Sequence, residues 1–169
     1  AFRRRKDGCR LVTTAVDTNA FLGLLYDDEH ADASEAALRR AYRDGAVVVA
    51  PVVYAELAAD GRFESAADLD RFLADFSVDV VDLSREARFT AGERFREYAD
   101  RRPDGIQCPA CGEKQSVDCD ACDESLSPRQ HVAADFLIGA HAAVDCDALV
   151  SFDKGFYSTY FPSLTVYPA

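Results

Sequence analysis

No apolar run in this chain of 169 residues reaches the ~18 residues that a helix needs to cross a membrane. The first ten residues are basic and hold no apolar stretch of the kind that opens a secretory signal. Both absences lead us to expect a cytoplasmic protein with no membrane partner. Repeats and low-complexity tracts are also missing. Lysine is scarce, with 3 residues against 16 arginines, while aspartate outnumbers glutamate 21 to 9 and the net charge is −11. An acidic surface with few lysines suggests a halophile, a proteome adapted to concentrated salt in which high net charge maintains solubility. Acidity opposes a nucleic-acid partner, because phosphates are repelled. That objection weakens in molar salt, where the Debye length falls to about 3 Å.

What is present suits one α/β domain. Hydrophobic residues make up 49% of the chain, enough to bury a sizeable core. Apolar, β-prone runs predict strands at 11–16, 46–50, 78–83 and 148–152, and a fifth at 164–167. A helix is expected after Asp17, through Leu24. A second runs from Asp32 or Ser34 to Asp44, with Gly45 as its terminator. A short helix carries Glu56 and Leu57. Ser65 caps a helix with Leu69, Phe72, Leu73 and Phe76 on one face. Ser84 caps a long one whose inner face carries Ala87, Ala91, Phe95 and Tyr98, and the last runs from about Gln130 to Val144. Strands alternating with helices imply a mostly parallel sheet covered on both faces. Residues 103–128 break this pattern: they are polar and aperiodic, and they hold four of the six cysteines. They read as an insertion into a domain that spans residues 11–169.

Four acids stand where α/β proteins build sites. Asp17 directly follows the first expected strand and Asp153 the fourth, and ligands bind in the crevice beyond the carboxyl ends of such strands. Glu56 lies one turn into the helix after the second strand. Asp135 sits in a helix that is apolar nearly all round, where an acid is costly unless paired or bound to a cation. Taken singly, Asp17 could cap the following helix, Glu56 could be an exposed helix residue, and Asp153 could cap the turn Lys154-Gly155. Were they to converge, the carboxylates would repel one another. Hard divalent cations with oxygen ligands, Mg²⁺ and Mn²⁺ foremost, relieve such repulsion. A site of that kind suits phosphodiester hydrolysis and needs no histidine base. Spacing alone does not show convergence. His131, one turn before Asp135, reads as a surface or capping residue; His30 and His141 carry no assignment.

Four segments supply what spacing cannot. Val16-Asp17-Thr18-Asn19-Ala20-Phe21-Leu22, Pro51-Val52-Val53-Tyr54-Ala55-Glu56-Leu57, the run from Ala134-Asp135-Phe136 to Ala142, and Ser151-Phe152-Asp153-Lys154-Gly155-Phe156 resemble the acidic motifs of PIN domains, in that family's order. The motifs look much like those of the toxin subunits of VapBC toxin–antitoxin pairs, and the tail from Gly155 to Pro162 is similar to archaeal members. The resemblance implies a three-layer α/β fold with a central, mostly parallel sheet, and an endoribonuclease that uses Mg²⁺ or Mn²⁺. It implies that Asp17, Glu56, Asp135 and Asp153 hold the metal, and that Thr18, Asn19 and Ser151 support them through hydrogen bonds. It also implies a homodimer, an RNA substrate and an antitoxin partner. The insertion before Asp135 departs from the family pattern, where a short loop is usual. It leaves open a PIN nuclease of ribosomal RNA maturation, or a catalytically weak, zinc-stabilised module that binds RNA or protein.

Within the insertion, Cys108, Cys111, Cys119 and Cys122 form two C-x₂-C pairs seven residues apart. Without a secretion signal disulfides are not expected, and four thiolates suit one tetrahedral Zn²⁺. Cys108-Pro109-Ala110-Cys111-Gly112 resembles the knuckle of zinc ribbons; the second pair has Asp123 where such knuckles favour glycine. The zinc either ties down a long loop or shapes a finger that contacts RNA or a partner. Arg101, Arg102, Lys114 and Arg129 favour phosphate contact, and Asp118, Asp120, Asp123 and Glu124 oppose it. Cys9 and Cys146 read as small core residues.

The charge balance yields a first test. Thermal unfolding followed from low to molar KCl should show a rising midpoint, because screening relieves repulsion among surplus acids. A midpoint that falls steadily with salt would refute adaptation to high salt.

Overall fold

The computed structural model describes residues 12–101, 106–107, 113–125 and 133–168. In chain order it contains β1 (Val12–Val16), α1 (Thr18–Tyr26), α2 (Ala31–Asp44), β2 (Gly45–Val49), α3 (Pro51–Ala59), α4 (Ala66–Asp75), β3 (Val78–Val80) and α5 (Arg85–Arg101). The insertion contributes β4 (Ile106–Gln107) and β5 (Lys114–Gln115). Then come α6 (Ala134–Asp145), β6 (Ala148–Val150), α7 (Lys154–Tyr160) and β7 (Val166–Tyr167). Five strands form one sheet in the order β3-β2-β1-β6-β7, and every neighbouring pair is parallel. This is the expected α/β architecture. Among the described residues no helix is long and apolar enough to cross a membrane.

The strand order places the crevice. From β1 the chain winds outward through β2 to β3, then returns through α5 and α6 to lay β6 on the other side of β1. The winding direction reverses between β1 and β6, and the loops leaving those two strands part company there. Such a switch point opens a cleft at the carboxyl edge of the sheet. The sheet interior explains why the strands were visible in the sequence. Ala15, Val16, Val47, Val48, Val49, Leu149 and Val150 are all buried, so each central strand is apolar on both faces.

Helix ends follow local chemistry. Ser65 accepts from the Asp68 N–H at 3.3 Å and Ser84 from the Ala87 N–H at 3.0 Å, as expected of caps. Neither Asp32 nor Ser34 caps α2, which begins at Ala31. Gly45 does follow α2, but its φ of 166° is extended backbone, and β2 starts at Gly45 itself. Space explains this glycine, since a Cβ would stand 1.9 Å from the Val12 carbonyl oxygen across the β1–β2 pair. The expected third, fourth and fifth strands are shorter than their apolar runs, and α7 was not foreseen.

Two side-chain groups fix the layer over α5, α6 and α7. Phe136 of α6 meets Phe95 of α5 at 5.6 Å and Phe156 and Tyr160 of α7 at 4.9 and 5.2 Å between ring centroids. At the far end of α6, buried His141 has its Nδ1 3.2 Å from Asp145 Oδ2, which also accepts from the Ser84 N–H at 3.0 Å. Cys146 stands beside His141 Nε2, half-buried and packed against the core rather than within it, and burial pushes its thiol up to about 12. Cys9, Cys108, Cys111, Arg102, Arg129 and His131 lie outside the described residues.

Candidate active site

Backbone pairing brings Asp17 and Ser151 level with each other. The Asp17 N–H bonds the Val150 carbonyl at 2.9 Å, one step beyond β1, and the Ser151 N–H bonds the Tyr167 carbonyl at 2.8 Å, one step beyond β6. Their side chains then meet: the Ser151 hydroxyl donates to Asp17 Oδ2 at 2.7 Å. The Asn19 amide donates to the same oxygen at 3.0 Å and the Tyr157 hydroxyl at 3.1 Å. Asn19 also reaches Ser151 Oγ at 3.2 Å and accepts from the Phe152 N–H, while Ser151 Oγ accepts from the Asp153 N–H at 3.1 Å. One hydrogen-bonded knot thus ties the loop after β1 to the loop after β6.

The other acids arrive from three more helices. Glu56, on α3, is half-buried and accepts a short hydrogen bond from the Thr18 hydroxyl. Asp135 lies in the first turn of α6, where the positive end of the helix dipole favours an anion. Asp153 caps α7 by accepting from the Phe156 N–H at 3.1 Å, so its ordinary role and its place at the crevice coexist. Asp17 occupies the N-cap position of α1 but makes no cap bond there, which sets aside the simplest bland account of it. Asp17, Glu56, Asp135 and Asp153 line one open pocket of about 470 Å³, together with Thr18, Asn19 and Asp60.

Sequence reasoning missed two members of this group. Asp60 stands one turn beyond Glu56 at the end of α3, a spacing that could have marked it as facing the same way. Tyr157 had no signal of its own, because α7 was not recognised.

Crowding is visible in the proton affinities. Asp17 is pushed above the ordinary carboxylate value, foremost by burial. Hydrogen bonds from Ser151, Tyr157 and the Thr18 N–H pull it the other way, and the Asp153 charge adds to the rise. Asp135 is also raised, first by partial enclosure and then by the charges of Asp17, Glu56 and Asp153. Burial and the neighbouring charges of Asp17 and Asp135 push Tyr157 far up, so it remains a donor. Among the described residues, no group of three or more His, Cys, Asp or Glu stands close enough together to chelate an ion as the side chains are placed. The donors are nevertheless all oxygens, mutually repelling and facing one space. That chemistry fits a hard divalent cation.

A family model of the PIN domain matches residues 14–162. In fold, the chain is similar to a chain in the crystal structure of VapBC2 from Rickettsia felis bound to a DNA fragment from their promoter. The TM-score is 0.57 at 18% identity, over 92% of this chain and 97% of that chain. No curated protein matches the sequence.

The repulsion at Asp135 can be measured without any substrate. A carboxylate raised on folding contributes stability that is fully present below its unfolded value near 3.8 and lost as pH climbs through the raised value. Asp135→Asn removes that loss. Its thermal midpoint should exceed that of the wild type at neutral pH, and the gap should close as pH falls toward 3.8. Calorimetry across this range checks the sign; a neutral-pH midpoint below the wild type's would contradict the crowding.

Proposed function

The chain belongs to the PIN domain family, and from that premise we propose that it is a metal-dependent endoribonuclease similar to the VapC toxins, hydrolysing RNA phosphodiester bonds at this pocket. One observation carries the reading: four acids from separate elements line a single cleft. Asp17, Glu56, Asp135 and Asp153 would hold Mg²⁺ or Mn²⁺. Such an ion, if bound there, would supply charge neutralisation at the phosphodiester and activation of water. Asn19, Ser151 and Tyr157 fix one oxygen of Asp17 and so aim the other, and Thr18 orients Glu56 in the same manner. Likeness in fold to a chain of VapBC2 supports an antitoxin as partner, and we extend the family's homodimeric habit and a cytoplasmic location to this chain.

The domain proposed for this chemistry spans residues 11–169, with a zinc-binding insertion at 103–128. The described half of the insertion supports that assignment. Asp118 and Ser125 bridge antiparallel around the turn that holds Cys119 and Cys122. The Cys119 thiol is held below its ordinary value by the Ala121 N–H first, then by the Cys122 thiol and N–H. Asp123 has φ 56°, the left-handed conformation that a knuckle glycine would adopt. In sequence, Cys108 and Cys111 fall between β4 and β5, which also pair antiparallel. The insertion favours one alternative, a PIN nuclease of ribosomal RNA maturation. Sequencing of RNA ends after induced expression of wild type and Asp17→Asn separates it from a toxin, because the former trims one precursor and the latter cuts standing RNA.

Purified protein should cut RNA with Mg²⁺ or Mn²⁺ and stop in EDTA. Asp17→Asn or Asp135→Asn should lower the rate by orders of magnitude, and Ser151→Ala by about 10–100-fold through loss of orientation. Undiminished cutting by both aspartate variants would sink the site assignment.

Metal analysis should find one zinc per chain, lost when Cys119 and Cys122 are changed to serine. Replacing residues 103–127 with a short Gly/Ser loop should leave a folded domain, since closure depends weakly on loop length. Its choice of RNA should change more than its metal-dependent cutting. Collapse of the whole fold in the serine variants would show instead that the zinc supports the core.

A further inference from the structure

Among the described residues, five acids and no basic side chain line the pocket, yet the substrate proposed for it is a polyanion. The strand flanking the cut needs contacts of its own. We propose that Tyr26 and Arg62, joined through Asp60, form a subsite that holds a nucleotide beside the scissile phosphate. The tyrosine ring stacks on a base and the guanidinium meets a phosphate. The proposal rests on the nuclease reading above and names how that site would grip a single RNA strand.

The placement follows from helix geometry. Residues one turn apart on a helix lie side by side. Tyr26 is one turn beyond Leu22 on α1, and Asp60 one turn beyond Glu56 at the end of α3; Leu22, Glu56 and Asp60 all line the pocket. The Tyr26 hydroxyl donates to Asp60 Oδ1 at 2.8 Å. Gly61 then turns the chain with φ 82°, a conformation that costs a residue with a side chain strain. That turn lays Arg62 over the Tyr26 ring, with Cζ 4.0 Å from the centroid and Nε 4.0 Å from Asp60 Oδ2. The Asp60 side chain is 14% exposed, whereas Tyr26 is 51% exposed and the Arg62 side chain 42%.

The chemistry suits a nucleotide better than a packing role. A tyrosine half open to water contributes little to the core and leaves aromatic surface on which any base can stack. Arg62 has donors beyond the one facing Asp60, and its planar fork matches a phosphate. Stacking on the ring and pairing with Asp60 already restrict the guanidinium, so little side-chain freedom is lost when it binds.

The test measures binding apart from cutting. In an Asp17→Asn background, a fluorescein-labelled single-stranded RNA is titrated by anisotropy at several KCl concentrations. Adding Tyr26→Ala or Arg62→Gln should each weaken binding by about tenfold, the scale of a stacked base. Arg62→Gln should also flatten the dependence of log affinity on log salt by roughly 0.7, one phosphate's share on a single strand. Tyr26→Phe keeps the ring and loses only the Asp60 bond, so it should bind like its parent and unfold at a similar temperature. Unchanged binding in the first two variants overturns the subsite, as does a parent that binds no RNA. Equal loss in Tyr26→Phe and Tyr26→Ala overturns it as well, because the hydroxyl would then act only as a tie between α1 and α3. Wild type that binds RNA through Tyr26 and Arg62 but never cuts it overturns the nuclease reading and leaves the subsite standing.

Discussion

Asp17 stays inside the protein, 5% exposed, because three side-chain donors converge on one of its oxygens. Burial alone would favour the neutral acid, and each of those donors favours the charged one. The rest of the pocket is arranged around that balance. Ser151 and Asn19 belong to different strand exits, and Tyr157 belongs to a helix held by the aromatic contacts of Phe136, Phe156 and Tyr160. Loss of sheet register or of α7 docking would therefore withdraw a donor from Asp17. The polar centre and the apolar layer behind it constrain each other.

Some of this was legible in the chain itself. The central strands announced themselves because both of their faces are buried, so Val47–Val49 and Leu149–Val150 read as unbroken apolar runs. Caps at Ser65 and Ser84 were legible because a hydroxyl before a helical period has one common use. The edges were harder to read. β3 ends at Val80, and Val80 and Val81 are exposed, so the apolar run there outlasts the ladder. α7 was hidden by its length of 7 residues and its opening Lys154-Gly155, which read as a turn. Missing the helix meant missing Tyr157.

The acids show a different limit. Asp135 stood out because its neighbours are apolar, and that contrast is a local property. Asp17, Glu56 and Asp153 each had an ordinary explanation, and Asp153 does serve as a cap. Their meeting depends on which strands are neighbours, and no window of sequence contains that information. Family resemblance supplied it in advance, and the strand order supplies it physically: β1 lies between β2 and β6, so the loops after all three strands open on one edge. Asp60 was overlooked because it ends a helix whose outer face is unremarkable. In the folded chain it lines the pocket and meets Tyr26 and Arg62.

The partners of Asp17 lie far along the chain. Ser151 is 134 residues away and Tyr157 140, and β6 joins β1 across the same span. Contacts of such separation carry a large loop-closure cost and form late. A ribosome making this protein has released Asp17 and Glu56 long before Ser151, Asp153 and Tyr157 exist. During that interval α1, α2, α3 and the first three strands can pair, but the knot that holds Asp17 cannot close. The pocket is thus a property of the finished chain. A nascent or truncated copy that stops before α6 carries Asp17, Glu56 and Asp60 without Ser151 and Tyr157, two of the three donors that hold Asp17, so synthesis itself sets the moment at which the pocket is complete.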